Sequence, residues 1–297
     1  MKNNSPLFNW WIKGALVAVI ILLLGIWLAP YWQGTKPISP ILFQVGNFSI
    51  HWYGVVLAIA TGFGFWLTAW LARGRITQEQ ILEAGIWMIV GGLIGARLVF
   101  VILKWPIYAL HPEEILLFTR GGLSIHGALL GGIISLWWYS AKAKLNFWQL
   151  ADLGVPGLAL GQAIGRFGNF FNQEAFGGPT QLPWKMFVAP GSRPIEFLQE
   201  RYFHPTFIYE SILDIALLIV LLRIMLYPKR VGPLSLGSYG RVGSILAWYL
   251  ILYSGVRFGV EWFRVDSDSV GIFTLAQWAS LVIIAIGIYL LNRKTHA

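Results

Sequence analysis

Apolar runs recur along almost the whole chain, at 10–31, 52–73, 81–103, 122–140, 149–171, 205–226, 243–263 and 273–291. A hydrocarbon core about 30 Å thick needs roughly 20 helical residues at ~1.5 Å each, so this pattern predicts eight membrane-spanning helices. The expected fold class is all-α, a polytopic helical membrane bundle. The first run, led by Lys2 and Lys13, also has the shape of a signal peptide. No small-x-small cleavage site follows it, since Leu28-Ala29-Pro30-Tyr31 is a poor one, and it is read as a retained anchor. The connection 172–204 carries Pro179, Pro183, Pro190 and Pro194 with several glycines. Its Trp and Phe content predicts a small ordered external cap rather than a linker. No repeat, low-complexity tract or soluble second domain is visible.

The polar positions orient the bundle. One alternate set of connections holds Lys2, Lys13, Arg73, Arg75, Lys142, Lys144, Lys229, Arg230, Arg241, Arg293 and Lys294, eleven in all. The other holds seven: Lys36, Lys104, Arg120, Lys185, Arg193, Arg201 and Arg264. The positive-inside rule then places both termini in the cytoplasm. Arg97, Arg166, Arg223 and Arg257 fall inside spans or at their ends. Counting from the cytoplasmic ends, Arg97, Arg166 and Arg257 lie roughly 20 to 25 Å up, in the outer half of the bilayer. Tyr53, His126 and Glu210 each begin a span on its outer side. The polar groups therefore converge on one outward-facing depth.

The densest stretch is Gly165 to Gly177, which packs Arg166, Asn169, Asn172 and Glu174 into nine residues among glycines and phenylalanines. An arginine at mid-bilayer costs roughly 2.5 to 3.5 kcal/mol on insertion scales, so four such groups together mark a candidate site. Tyr253, Arg257 and Glu261 recur at four-residue spacing on one helix face. Either Arg257 and Glu261 neutralise each other, or Glu261 orients Arg257 toward a bound anion; the two readings are compatible. His126 stands between Gly121-Gly122 and Gly127, with Gly131 and Gly132 below. These glycines are expected to leave space for a substrate beside the ring, which is either a hydrogen-bonded structural histidine or a general base.

Composition narrows the class. With 57% hydrophobic and 12% charged residues and a mean hydropathy of +0.64, the chain lies outside the soluble range. The absence of cysteine rules out disulfides, thiolate metal sites and a covalent cysteine mechanism. The net charge of +9 comes without any basic run, so anionic lipid and not nucleic acid is the expected partner. Sixteen tryptophans and eleven tyrosines can supply interfacial belts; Trp10-Trp11, Trp52-Tyr53 and Trp137-Trp138 fall at span ends. H-E-x-x-H, G-x-S-x-G and Walker A motifs are missing, and the histidines lack ligand spacing, so no metal is expected.

These blocks together resemble the bacterial prolipoprotein diacylglyceryl transferases, from about residue 44 to the C-terminus. The Gly165–Gly177 stretch carries the family signature, and supporting blocks are His51-Trp52-Tyr53-Gly54, Gly121 to Gly127, His204-Pro205-Thr206 with Tyr209-Glu210, and Arg257 to Arg264 with Asp266. Phe207 stands where the family usually has glutamine, Ala128 where it has a second glycine, and Val155 where it has alanine. The resemblance implies seven spans in a transferase membrane domain at 44–297, with residues 1–43 an added extension holding one extra span. It implies transfer of the sn-1,2-diacylglyceryl group of phosphatidylglycerol to the lipobox cysteine in a prolipoprotein signal peptide, without a cofactor, at the bacterial plasma (inner) membrane. By position, Arg166 and Arg257 would hold the phosphate, with His126 as base. Asn169, Asn172, Glu174 and Gly177 would bind the lipid head group. Tyr53 and Glu210 would line the same cavity, and Glu261 would hold Arg257. The competing class is a transporter or flippase of an anionic lipid, which should carry polar groups through its full depth. Here the inner half has little beyond Asp152, with Asp214 near the middle.

Overall fold

The computed structural model describes residues 19, 22–46, 48–117, 121–227, 242–265, 267 and 269–293. The start of the first expected span, Lys2, Lys13, Arg120, Lys229, Arg230, Arg241, Asp266 and Lys294 lie outside the described residues. The chain is mostly helical: α1 Leu22–Trp32, α2 Trp52–Leu71, α3 Gln78–Leu103, α4 Trp105–Tyr108, α5 Ile125–Lys142, α6 Phe147–Gly165, α7 Phe167–Asn172, α8 Thr206–Leu226, α9 Ser244–Val260 and α10 Leu275–Asn292. Among these, α2, α3 and α10 are long and apolar enough to cross a membrane by length and composition. Their outer faces leave large apolar side chains such as Trp66, Leu93, Ile102 and Val282 exposed, as suits a protein solvated by lipid.

Local chemistry explains where helices start. Thr77 caps α3 in a reciprocal box with Gln80, and Thr274 does the same for α10 with Gln277. Asn146 accepts from the amides of Trp148 and Gln149 at the start of α6. The α9 start is capped from another helix: Asp152 of α6 accepts from the amides of Gly243 (2.6 Å) and Leu246 (2.8 Å). Asp152 is thus a tertiary cap holding two helices together.

Two expected spans end early, each at a charge. The run 149–171 divides at Arg166, which joins α6 to the short α7. The run 243–263 leaves regular helix after Val260, and Glu261–Phe263 tightens into a 3₁₀ turn. Among the described residues, three short antiparallel pairs occur in connections, where no strand was expected: β1 Ile41–Val45 with β2 Phe48–His51, β3 Met186–Phe187 with β4 Tyr202–Phe203, and β5 Ser269–Val270 with β6 Phe273–Thr274. Two to five residues long, they were too brief to leave a periodic signal.

One core, including Leu67, Leu153, Leu221 and Tyr249, runs between α2, α3, α5, α6, α8 and α9. A second, of Phe170, Phe176, Met186, Val188, Phe203 and Phe207, lies under the segment 172–204. Helices α3 and α5 meet through two G-x-x-x-G faces, Gly91/Gly95 and Gly127/Gly131. A Cβ added at Gly91 would sit 2.9 Å from the Gly131 carbonyl oxygen, and one at Gly95 would sit 2.9 Å from the Gly131 Cα. This corrects the sequence reading of space beside His126: Gly127 and Gly131 are filled by the α3 backbone and offer no room for a substrate.

Candidate active site

The site is built around one carboxylate. Glu210 lies near the start of α8, its side chain only 1% exposed, and three arginines from two other parts of the chain reach it. Arg166 forms an ion pair with Oε2, Arg257 donates from Nη1 to Oε1 at 3.0 Å, and Arg264 approaches Oε1 at 3.5 Å. Arg257 also meets Glu261 Oε2 at 2.7 Å through Nη2, a charge contact without hydrogen-bond alignment. The other Glu261 oxygen accepts from Thr274 Oγ1 at 3.0 Å. Thr274 therefore caps α10 and fixes Glu261 with the same hydroxyl. Arg166 and Arg257 remain about one-fifth exposed, at 19% and 21%.

The signature stretch wraps over this cluster. Gln173 and Ala175 both take positive φ, 53° each, reversing the chain after α7. The turn brings Glu174 back onto α7, where its Oε1 accepts from Asn169 Nδ2 at 2.9 Å and Asn172 Nδ2 at 3.2 Å. Gly177 pairs with Arg264 in a single antiparallel bridge and donates its amide to His204 O at 2.8 Å. A Cβ there would lie 2.5 Å from Phe263 O, so only glycine lets the signature run beside the arginine-bearing turn. Tyr53, at the start of α2, lays its ring on Gly168, where a Cβ would come within 2.7 Å of it.

Two expected members of the polar layer stand apart. The His126 ring at the start of α5 is exposed and has no hydrogen-bond partner among the described residues. Arg97 is buried in α3, 4% exposed, and donates to the carbonyls of Ile115, Gly121, Gly122, Glu114 and Leu117 at 2.6 to 3.3 Å. It folds the loop before α5 onto α3, and Gly121 and Gly122 (φ 80° and 77°) supply the turn. Among the described residues, no three His, Cys, Asp or Glu side chains gather as a metal-ligand set.

The family model described as prolipoprotein diacylglyceryl transferase matches residues 40–293, a span that includes every residue of this cluster. The chain belongs to the prolipoprotein diacylglyceryl transferase family. Similar proteins named phosphatidylglycerol–prolipoprotein diacylglyceryl transferase include one from Synechococcus elongatus, 44% identical over 260 residues, covering 86% of this chain and 87% of the other. One from Acaryochloris marina is 42% identical over 272 residues, covering 89% and 96%. Another, from Fervidobacterium nodosum, is 40% identical over 282 residues, covering 92% of each.

Within this prolipoprotein diacylglyceryl transferase family member, the structure adds residues that the sequence reading left out of the site. Arg264 joins Glu210, though it was counted only as a charge in an outer connection; its place in the Arg257–Arg264 block was the available signal. Tyr209 OH accepts from Trp184 Nε1 (2.7 Å) and lies 3.0 Å from His204 Nδ1, tying the 172–204 segment to the start of α8. Asp214, one turn beyond Glu210, is fully buried, and neither carboxylate oxygen has a hydrogen-bond partner among the described residues.

Proposed function

We propose that this chain transfers the sn-1,2-diacylglyceryl group of phosphatidylglycerol to the lipobox cysteine of a prolipoprotein. The observation that carries the reading is the pair Arg166 and Arg257: both are anchored on buried Glu210, and both keep partial access from outside. Planar guanidiniums suit a phosphodiester, and preorganised donors stabilise the charge that grows on a departing phosphate. The transporter reading loses ground, because the family is one of enzymes.

In the proposed reaction the cysteine sulfur attacks the glyceryl carbon that bears the phosphate ester. A C–S bond forms, the C–O bond breaks, and its electron pair stays with the phosphate oxygen of glycerol 1-phosphate. The thiol, with an ordinary pKa near ~8.5, must lose its proton, and His126 is the assigned acceptor. Arg166 and Arg257 hold the phosphate, and Glu261 keeps Arg257 aimed. Asn169, Asn172 and Glu174 engage the glycerol head group, with Gly177 and Tyr53 shaping the wall. Glu210, fully buried, serves this site as counter-ion beneath the arginines. We further assign eight spans, both termini cytoplasmic, a small external cap at 172–204 and a site facing the outer leaflet of the bacterial inner membrane. The charge count of the connections and the depth of the arginines support that orientation.

The test is to incubate purified protein with phosphatidylglycerol and a lipobox peptide, following peptide mass and glycerol phosphate together. A diacylglyceryl mass gain, absent when the peptide cysteine is serine, is expected. A folded protein that yields neither product overturns the reading.

A further inference from the structure

Helix α1 lies outside the family match, yet its second half is built into the back of the signature helix. Trp32 stacks on Phe170 of α7, with ring centroids 5.7 Å apart and planes 23° from parallel, and sets its edge on Phe207 at 6.3 Å. Trp27 meets Trp52 at 5.8 Å, and Trp52 stacks on Phe171 at 4.8 Å and 13°. Two of the three phenylalanines of α7, Phe170 and Phe171, are therefore held from α1, one directly and one through the first residue of α2. Behind them, Gly34 (φ 74°) packs against the Phe187 ring with no room for a side chain, and Tyr202 OH donates to Gln33 O at 3.4 Å.

A helix of six residues has too few internal hydrogen bonds to hold itself, so its position is set by what packs on it. Here that position matters, because α7 follows directly from Arg166 and carries Asn169 and Asn172 on Glu174. Phe207 adds a second sign of fit. Its ring is fully buried, with Trp32 on one side and Phe170 on the other. An apolar ring is what a tryptophan covering that position requires. Residues 22–26 stay exposed, so docking is confined to the half of α1 from Trp27 to Trp32.

We infer that α1 is a positioning element for lipid capture: Trp32, with Trp27 acting through Trp52, sets where α7 presents Asn169, Asn172 and Arg166 to the anionic head group. The inference rests on the function proposed above. The experiment measures KM for phosphatidylglycerol and kcat separately in the full-length chain, with the lipobox peptide saturating and folding checked by gel filtration in detergent. Trp32→Ala is expected to raise the lipid KM roughly 3- to 10-fold, the scale of losing one or two aromatic pairs, with kcat within about twofold. Trp32→Phe should restore the KM, since it keeps a ring on Phe170. An unchanged KM in Trp32→Ala, a fall in kcat alone, or a Trp32→Phe variant as impaired as the alanine variant overturns the inference. If Trp32→Ala does not fold, Trp27→Ala is decisive: it loses only the outer contact and should raise the KM by a smaller factor, and an unchanged KM overturns the inference. Failure of both variants to fold also overturns it, because α1 then serves the whole fold. A folded wild-type chain with no transfer is a separate outcome: it removes the proposed function itself, and this inference with it.

Discussion

Arg97 and the pair Arg166/Arg257 were expected at the same depth, yet the structure gives them opposite surroundings. Arg97 is wrapped by five backbone carbonyls and buried to 4% exposure. Its donors are directed into a loop, and its work is to hold that loop on α3. Arg166 and Arg257 instead rest on a carboxylate, at 19% and 21% exposure. A carboxylate anchors a guanidinium through charge while leaving other donors for a ligand; a ring of carbonyls does not. The acceptor, and not the depth, separates a structural arginine from one placed for an anion.

The largest effects should follow that division. Arg166→Ala and Arg257→Ala are expected to lower transfer in the folded fraction by about 10² to 10³-fold, as removal of a preorganised donor does, a loss larger than the drop in stability from leaving part of buried Glu210 uncompensated. Arg97→Ala should do the reverse. Stripping the donor from several buried carbonyls costs on the order of 3 kcal/mol or more, while specific activity of the folded fraction stays within a few fold. Differential scanning fluorimetry beside the transfer assay reads both, and an inactive but fully stable Arg97→Ala would break the comparison. His126, at the helix start that Arg97's loop leads into, comes next. His126→Gln should lose about 10²-fold and flatten the acid limb of the rate–pH profile, as loss of a general base would. Full transfer with an unchanged profile would remove that role.

The smallest effect sharpens the arginine cluster from beneath. Asp214 is buried without a hydrogen bond among the described residues, a costly state for a carboxylate, so the isosteric Asp214→Asn should leave transfer within about threefold and stability equal or higher. A loss beyond tenfold in a stable variant would place Asp214 in the reaction.

Much of this was legible in the chain. The helices follow from apolar run length, and the Thr77-x-x-Gln80 and Thr274-x-x-Gln277 boxes are local signals. Arg166, Asn169, Asn172 and Glu174 were legible because they crowd into one apolar stretch. Other features were not. Gly127 and Gly131 read as open space beside His126 and are a helix contact, because whether a missing side chain makes a cavity or a packing face depends on what arrives from elsewhere. The second role of Thr274, its bond to Glu261, was not legible, since Glu261 lies across a turn. The early ends of α6 and α9 were hidden by apolar residues that continue past Arg166 and Glu261.

The sequence by itself determined the helical class, most helix starts and the family, because run length, capping and motif order are local or linear properties. The tertiary structure decided which arginine serves which purpose. Arg97 finds its carbonyls 17 to 25 residues away, and Arg257 and Arg264 find Glu210 at separations of 47 and 54. It also decided that α1, which reads along the chain as an isolated anchor, ends against α7. Ion pairing and aromatic packing depend on distances between distant segments, and only the packed bundle sets those.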